Sequence, residues 1–277
     1  MGLTLIPGLG AKGITKLIDH FGDAKKVWEA DYLDLKSVGI RKDVVEKIII
    51  NKNKINLELE VEKVLKYNLN VLTYNNFPKL LQEIHNPPLL LYTKGNLELL
   101  QGFKLAVVGT RKITGYGIGV LNKIIPSLVG ANVVIVSGLA RGTDGKAHKL
   151  CLENEGKTIA VLGSSIDIIY PKEHNDLANN IQEKGLLISE FPPGTRPKKH
   201  HFPLRNRIIS GLSKGVVVIE APKKSGAIIT AQLALEDNRD VFSVPGNITN
   251  PYSEGCNMLI SEGAKLVTCT EDILNEY

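Results

Sequence analysis

Residues 105–137 read LAVVGTRKITGYGIGVLNKIIPSLVGANVVIVS, and this stretch decides the fold. An unbroken apolar run at 105–109 stops at a glycine, a helix candidate follows over 115–129, and a second apolar run fills 133–137. A strand that is apolar at every position, not at every second one, must be covered on both faces. Parallel sheets flanked by helices meet that requirement. The pattern repeats downstream with IAVLG at 159–163, LLISE at 186–190, VVVIE at 216–220 and VFSVP at 241–245. Helix candidates fall between and after them at 143–155, 173–184, 203–213, 227–238 and 254–263. The expected fold class is therefore α/β, a Rossmann-like, doubly wound, mainly parallel sheet with ligands at the carboxyl ends of its strands.

Upstream of this sheet the pattern changes. Residues 68–103 suggest two short strands, at Val71-Leu72 and at LLLY 89–92, around an Asn-Pro-Pro turn at 86–88, and no binding role follows from them. Residues 1–67 read as a small all-helical domain. Gly8 and Gly10 make a tight turn before Ile14, Leu17, Ile18 and Phe21, and Gly39 makes a second one before Val44, Val45, Ile48 and Ile49. These look like helix-hairpin-helix units, whose backbone amides can hold a DNA phosphate. Packing or protein interaction is the plainer reading. The first copy lacks room for a leading helix before Pro7, and 51–67 reads as a charged helix leading out of the domain. The expected domains are thus 1–67 and 68–277.

Composition narrows the function classes. The 277 residues are 43% hydrophobic, enough for a real core, yet no apolar run is long enough to span a bilayer, and no secretory signal opens the chain. Cys151, Cys256 and Cys269 are odd in number and far apart, which argues against a disulfide framework or a zinc knot and suits a cytoplasmic location. No membrane association is expected.

The net charge of +5 is unevenly spread. Residues 101–148 carry Lys104, Arg111, Lys112, Lys123, Arg141 and Lys146 against Asp144 alone. Between Glu190 and Glu220 no acidic residue occurs, while Arg196, Lys198, Lys199, Arg205, Arg207 and Lys214 do, with Phe191 and Phe202 among them. Cations interleaved with aromatics suit a single nucleic-acid strand, whose phosphates meet the cations and whose bases stack on rings. A solvated basic loop would have the same composition.

The strand ends also carry residues suited to other chemistry. Gly109-Thr110-Arg111 and the glycines at 115, 117 and 119 follow the first strand, and Gly138 to Asp144 the second, so backbone can approach an anionic ligand there. No dinucleotide-binding GxGxxG with the required spacing and no GxxxxGK[ST] is present, and no cofactor is expected. Asp144 and His148, four apart on a helix, could form an acid–base pair. The plainer reading has Asp144 capping the helix and His148 satisfying a backbone group. His200-His201 lack a carboxylate or thiolate at ligand spacing, so no metal is expected. Ser225, with Gly226 and Thr230, suits a helix cap as well as a phosphate site. Glu190 and Glu220 are candidates to fix the arginines of the basic stretch.

GTR at 109–111, SGLARGTDGKAH at 137–148, IAVLGSSIDIIYP at 159–171, SEFPPG at 189–194 and FPLRNRIISGLS at 202–213 run in order, followed by VIEAPKKSGAIITAQLALEDNRDVFSVPGN at 218–247 and GCNMLISEGA at 255–264. This series resembles the DNA-processing protein A (DprA/Smf) family, and the helical start resembles that family's SAM-like domain. The resemblance implies a non-enzymatic homodimer that binds and protects single-stranded DNA and helps load RecA recombinase onto it during natural transformation. It also implies a DNA pocket made of Arg111, Lys199, Phe202, Arg205, Asn206 and Arg207, with Gly109, Thr110, Gly138, Ser225 and Gly226 lining its floor. Lys199 and Arg207 are expected as phosphate partners and Phe202 as the stacking face.

Departures from the family pattern are few. Some members carry a C-terminal winged-helix domain, whereas this chain ends on TEDILNEY, so that module's function is expected to be absent or to lie in another protein. Thr143 stands where isoleucine is common in the family, a change expected to be harmless. The enzyme alternative is a nucleotide-processing hydrolase of the lysine-decarboxylase-like Rossmann type. It would need a PGGxGTxxE loop, whereas this chain has KSGAIITAQ, with no carboxylate at the matching place. A third reading is an interaction module whose basic patch meets an acidic protein.

Overall fold

The computed structural model describes residues 1–277. The chain forms two compact units, Met1–Leu69 with Pro88–Leu90, and Asn70–Pro87 with Leu91–Tyr277.

In the first unit a 3-10 turn at Gly2–Leu5 precedes five helices: α1 (Ala11–Phe21), α2 (Ala24–Glu29), α3 (Tyr32–Ser37), α4 (Lys42–Lys52) and α5 (Leu57–Lys66). Local chemistry sets their ends. Asp23 caps α2 through the Lys26 amide, and Asp31 and Asp34 form a reciprocal capping box at α3. Gly39 takes a φ of 71° between α3 and α4, a left-handed turn that glycine adopts without penalty. Leu17, Val27, Leu35, Val45 and Ile48 are fully buried at the centre. The helix expected over 51–67 is two helices. The chain breaks after Lys52, and Asn56 restarts it by accepting a hydrogen bond from the Leu59 amide.

The second unit is built on one nine-stranded sheet. Its strands are β1 (Asn70–Thr73), β2 (Leu90–Gly95), β3 (Lys104–Val108), β4 (Val134–Ser137), β5 (Thr158–Leu162), β6 (Leu186–Ser189), β7 (Gly215–Val218), β8 (Asp240–Ser243) and β9 (Lys265–Leu266), in spatial order β1-β2-β6-β5-β4-β3-β7-β8-β9. From β6 to β9 every pairing is parallel. Strand β2 runs antiparallel to β6, with Tyr92 opposite Ser189. Helix α6 (Lys79–Gln82) lies between β1 and β2 in sequence. The crossovers are α7 (Gly115–Gly130), α8 (Thr143–Glu153), α9 (Asn175–Lys184), α10 (His201–Leu212) and α11 (Gly226–Glu236). Helices α12 (Glu254–Ser261) and α13 (Glu271–Leu274) complete the chain.

The continuous apolar strands are explained by two cores. Ala106, Val136, Val216 and Val218 face one side, under Ile208, Ile209 and Leu212 of α10 and Ala227, Ile228 and Ala231 of α11. Their neighbours Leu105, Val107, Ile135, Val217 and Ile219 face the other, under Leu121, Ile125 and Leu128 of α7 and Ala147 of α8. Each fully buried aliphatic side chain contributes about 1.5–3 kcal/mol, so both faces are strongly specified. The cysteines are unpaired, Cys151 and Cys256 within these cores.

Strand order fixes where a ligand can sit. The chain leaves β3 through α7 toward β4 on one side, and returns from β6 through α10 to β7 on the other. The crossovers on either side of β3 therefore diverge, leaving a crevice at the carboxyl ends of β3 and β7.

Candidate nucleic-acid interface

A groove of about 620 Å³ occupies that crevice. Gly109, Thr110 and Arg111 line it from β3, Ala140 and Asp144 from the β4 turn, Lys199, Phe202, Arg205 and Asn206 from the approach to α10, and Ser225 and Gly226 from the start of α11. Tyr170 lies opposite. The first turns of α8, α10 and α11 all reach the groove, so the positive ends of their dipoles add potential there.

The Arg111 turn is clamped from three sides. The Thr110 amide donates to Glu220 O at 2.7 Å, and the amide and hydroxyl of Thr143 both donate to Thr110 O, at 3.1 and 3.2 Å. A β-carbon on Gly142, whose φ is 73°, would stand 2.4 Å from Thr110 O, so no other residue fits. Thr143, a departure from the family pattern, thus has a partner of its own. Glu220 fixes no arginine. Its carboxylate accepts from the Thr114 amide at 2.9 Å and hydroxyl at 2.6 Å, anchoring the start of α7.

From this clamped turn the Arg111 guanidinium lies over the Phe202 ring, 5.2 Å from its centroid. The ring packs on backbone, because a β-carbon on Gly163 would meet Phe202 Cδ1 at 2.7 Å. Tyr170 tilts 42° to Phe202 with centroids 5.7 Å apart. Sequence reading missed Tyr170. Its signal was the tyrosine closing the IIYP run, where a strand-end loop supplies an aromatic ring. Lys199 is exposed on the groove rim.

The remaining arginines do different work. Arg205 is 4% exposed, and its Nη1 donates to the carbonyls of Gly138, at 2.5 Å, and Val161. Burial lowers its pKa to about 10, opposed by the nearby Asp144 carboxylate. It belongs to the groove floor as a fixed positive charge. A β-carbon on Gly138 would fall 2.3 Å from Arg205 Nη1, so any other residue there would push the guanidinium out of these bonds. Asn206 bridges the floor, accepting from Arg205 Nε and donating to Gly226 O at 3.2 Å. Ser225 caps α11 through the Ile228 amide.

Arg207 corrects the sequence reading. It does not line the groove. It is buried, and its Nη2 bonds both Glu190 oxygens at 2.6 Å. That pairing was expected of Glu190, but it withdraws Arg207 from the role of phosphate partner. Phe191 likewise stacks on His201, centroids 4.1 Å apart, and is absent from the groove lining.

Asp144 and His148 form no acid–base pair. Asp144 Oδ2 accepts from the amides of Gly138 and Ala140, at 3.2 and 3.4 Å, so it fixes the β4 turn instead of capping its own helix. Burial raises its pKa, with Arg205 pulling the other way. His148 Nδ1 bonds the Thr158 hydroxyl at 2.7 Å, a side chain and not a backbone group, and burial lowers the imidazole pKa to about 3.

Comparison with known proteins identifies the chain's family. The family described as DNA recombination-mediator protein A matches residues 68–277. DNA processing protein DprA of Streptococcus pneumoniae (strain ATCC BAA-255 / R6) is 49% identical over 201 residues, covering 73% of this chain and 71% of that protein. The X-ray structure of DprA from Streptococcus pneumoniae superposes with a TM-score of 0.88 at 40% identity, over 98% of this chain and 94% of the other. DNA processing protein A from Helicobacter pylori, known for a single-stranded DNA binding mode, superposes with a TM-score of 0.69 at 31% identity, over 75% of this chain and 94% of the other. With its strand-end motifs gathered around one basic, aromatic groove, this chain belongs to the DNA recombination-mediator protein A (DprA/Smf) family.

Proposed function

We propose that this protein binds single-stranded DNA along the groove at the carboxyl ends of β3 and β7, without catalysis. The observation that carries the reading is the Arg111–Phe202 pair, a cation seated over an aromatic face above a rigid, positively charged floor. Arg111 and the exposed Lys199 supply phosphate contacts, and Phe202 supplies a stacking surface. Gly109, Thr110, Ser225 and Gly226 line the path of the strand, and Gly138 makes room for Arg205 beneath it. Asp144 is the one carboxylate lining the groove, and its bonds to two amides suit a structural role better than acid catalysis.

The further role follows family membership: a homodimer that protects incoming single strands and helps load RecA recombinase onto them in natural transformation and recombination. The helical unit corresponds in this reading to the family's SAM-like domain. The first test is fluorescence anisotropy with labelled oligothymidylate and with duplex DNA of equal length. Single-strand binding should be tighter, and Lys199→Ala should weaken it and reduce the magnitude of its salt slope by about 0.7. Equal affinity for both DNAs with an unchanged slope in the variant would overturn the groove assignment. Release of free base from nucleoside monophosphates would restore the hydrolase alternative.

A further inference from the structure

Phe202, Tyr170, Arg111 and Ala140 line a second space as well as the groove. This narrower recess, of about 30 Å³, is completed by Gly138, Arg141 and Pro171 and includes no residue of α11. Such a volume holds roughly one water or phosphate oxygen and no base. Two guanidinium groups flank it. Beside it Tyr170 stands 41% exposed, a large ring left in water next to a cationic site.

The recess has a rigid floor. Leu139 is buried with a φ of 56°, a left-handed conformation that a branched side chain seldom adopts. The amides on either side of it donate to Asp144, and Leu139 O bonds His174 Nδ1 at 2.9 Å, so the turn is held from two directions. Strain of this kind persists where surrounding structure imposes it, commonly at ligand sites. The rim is easier to rearrange. Arg141 pairs with Glu173 through Nε, and through Nη2 at 3.2 Å, but the two side chains are 59% and 51% exposed. The pair is bidentate but exposed to solvent, so a phosphate, which matches the same guanidinium fork, can compete with Glu173 for Arg141.

We propose that the recess is a second nucleotide subsite: the strand passes over Phe202, seats its next phosphate between Arg111 and Arg141, and stacks the adjoining base on Tyr170. This rests on the single-strand reading of the groove and extends it. Glu173 acts as a built-in competitor for Arg141, and the bound phosphate displaces it.

The test uses full-length protein and labelled oligothymidylates in a series from about two to about eight nucleotides, read by anisotropy. Wild type gains affinity in steps as each subsite fills. Arg141→Ala should remove one step, about five-fold or more, and leave affinity for the shortest ligand unchanged, and Tyr170→Ala should remove the same step. Tyr170→Phe should keep the step. Glu173→Gln should tighten binding of longer ligands in wild type and have no effect in the Arg141→Ala background. If both variants keep every step while wild type binds, the subsite is wrong and the groove stands. An equal loss at every length in Arg141→Ala also overturns the subsite, placing that residue in the groove proper. Failure of wild type to bind any oligothymidylate removes both readings. Thermal unfolding of each variant checks that the fold is intact.

Discussion

Arg111 cannot hold a DNA phosphate and cover Phe202 from the same position, and this conflict yields a quantitative prediction. The Cδ1–Cε1 side of Phe202 is against the Gly163 backbone, and Arg111 lies over the ring. A base that stacks there must displace the guanidinium. A partly exposed cation–π pair is worth about 0.5–1 kcal/mol, and stacking one base about 1–3 kcal/mol. In wild type the gain from stacking is therefore smaller by the energy of the cation–π pair that the base disrupts. Removing Arg111 abolishes that cost, so Phe202→Ala should weaken binding more in the Arg111→Ala background than in wild type, by about two- to five-fold in Kd. Arg111→Ala alone also loses a phosphate partner. Each such partner contributes a salt slope of about −0.7, so the wild-type advantage over Arg111→Ala should narrow about 2.6-fold between about 50 and about 200 mM salt. Anisotropy titrations of the four proteins across that range measure both effects. If Phe202→Ala costs the same in both backgrounds, no base displaces Arg111, and the stacking face is elsewhere.

Two further predictions test the supports of the groove. Glu190→Ala leaves the Arg207 guanidinium buried without its carboxylate, which should cost about 3 kcal/mol in urea denaturation, while the salt slope of DNA binding stays that of wild type. A steeper slope would show that the freed Arg207 reaches a phosphate. His148 has its pKa lowered to about 3, so on acidification the unfolded chain takes up a proton near pH 6.5 that the folded protein refuses. Its contribution is intact above about pH 6.5 and is lost progressively as pH falls toward about 3. From about pH 7 to about pH 5, wild type should lose about 2 kcal/mol more stability than His148→Gln in matched urea titrations. Parallel losses in the two proteins would show that His148 is not held neutral.

Which parts of the molecule could be read from sequence follows from how each is specified. The sheet was legible because LAVVG, VVIVS and VVVIE are apolar on both faces, a requirement that only a doubly covered strand imposes. The antiparallel strand β2 and the switch point between β3 and β7 were not, because strand order depends on which side each crossover takes. The helix expected over 51–67 failed at Asn56, where a capping side chain starts a new helix inside an otherwise continuous polar pattern. Tyr170 was hidden because nothing in one sequence tells an exposed loop tyrosine from a packed one.

Arg207 shows what a finer reading could have recovered. Helix α10 starts at His201, not at 203, so the motif FPLRNR lies wholly on a helix. At about 100° per residue Arg205, Asn206 and Ile209 fall within about 60° of Phe202, and all four line the groove. Arg207 falls about 140° away, on the side where Glu190 meets it. Composition counts both arginines as equal cations, whereas the helix gives one to the groove floor and the other to the ion pair behind it. The fixed charges of the site, Arg205 and Arg207, are thus spent on carbonyls and on Glu190 to hold α10 in place. Arg111 and Lys199 make no ion pair within the protein, and Arg111 can leave the Phe202 ring to meet a phosphate. Affinity should therefore respond to substitution at Arg111 and Lys199 through salt dependence, and at Arg205 and Arg207 through stability. One protein measured in both ways can separate the two kinds of arginine.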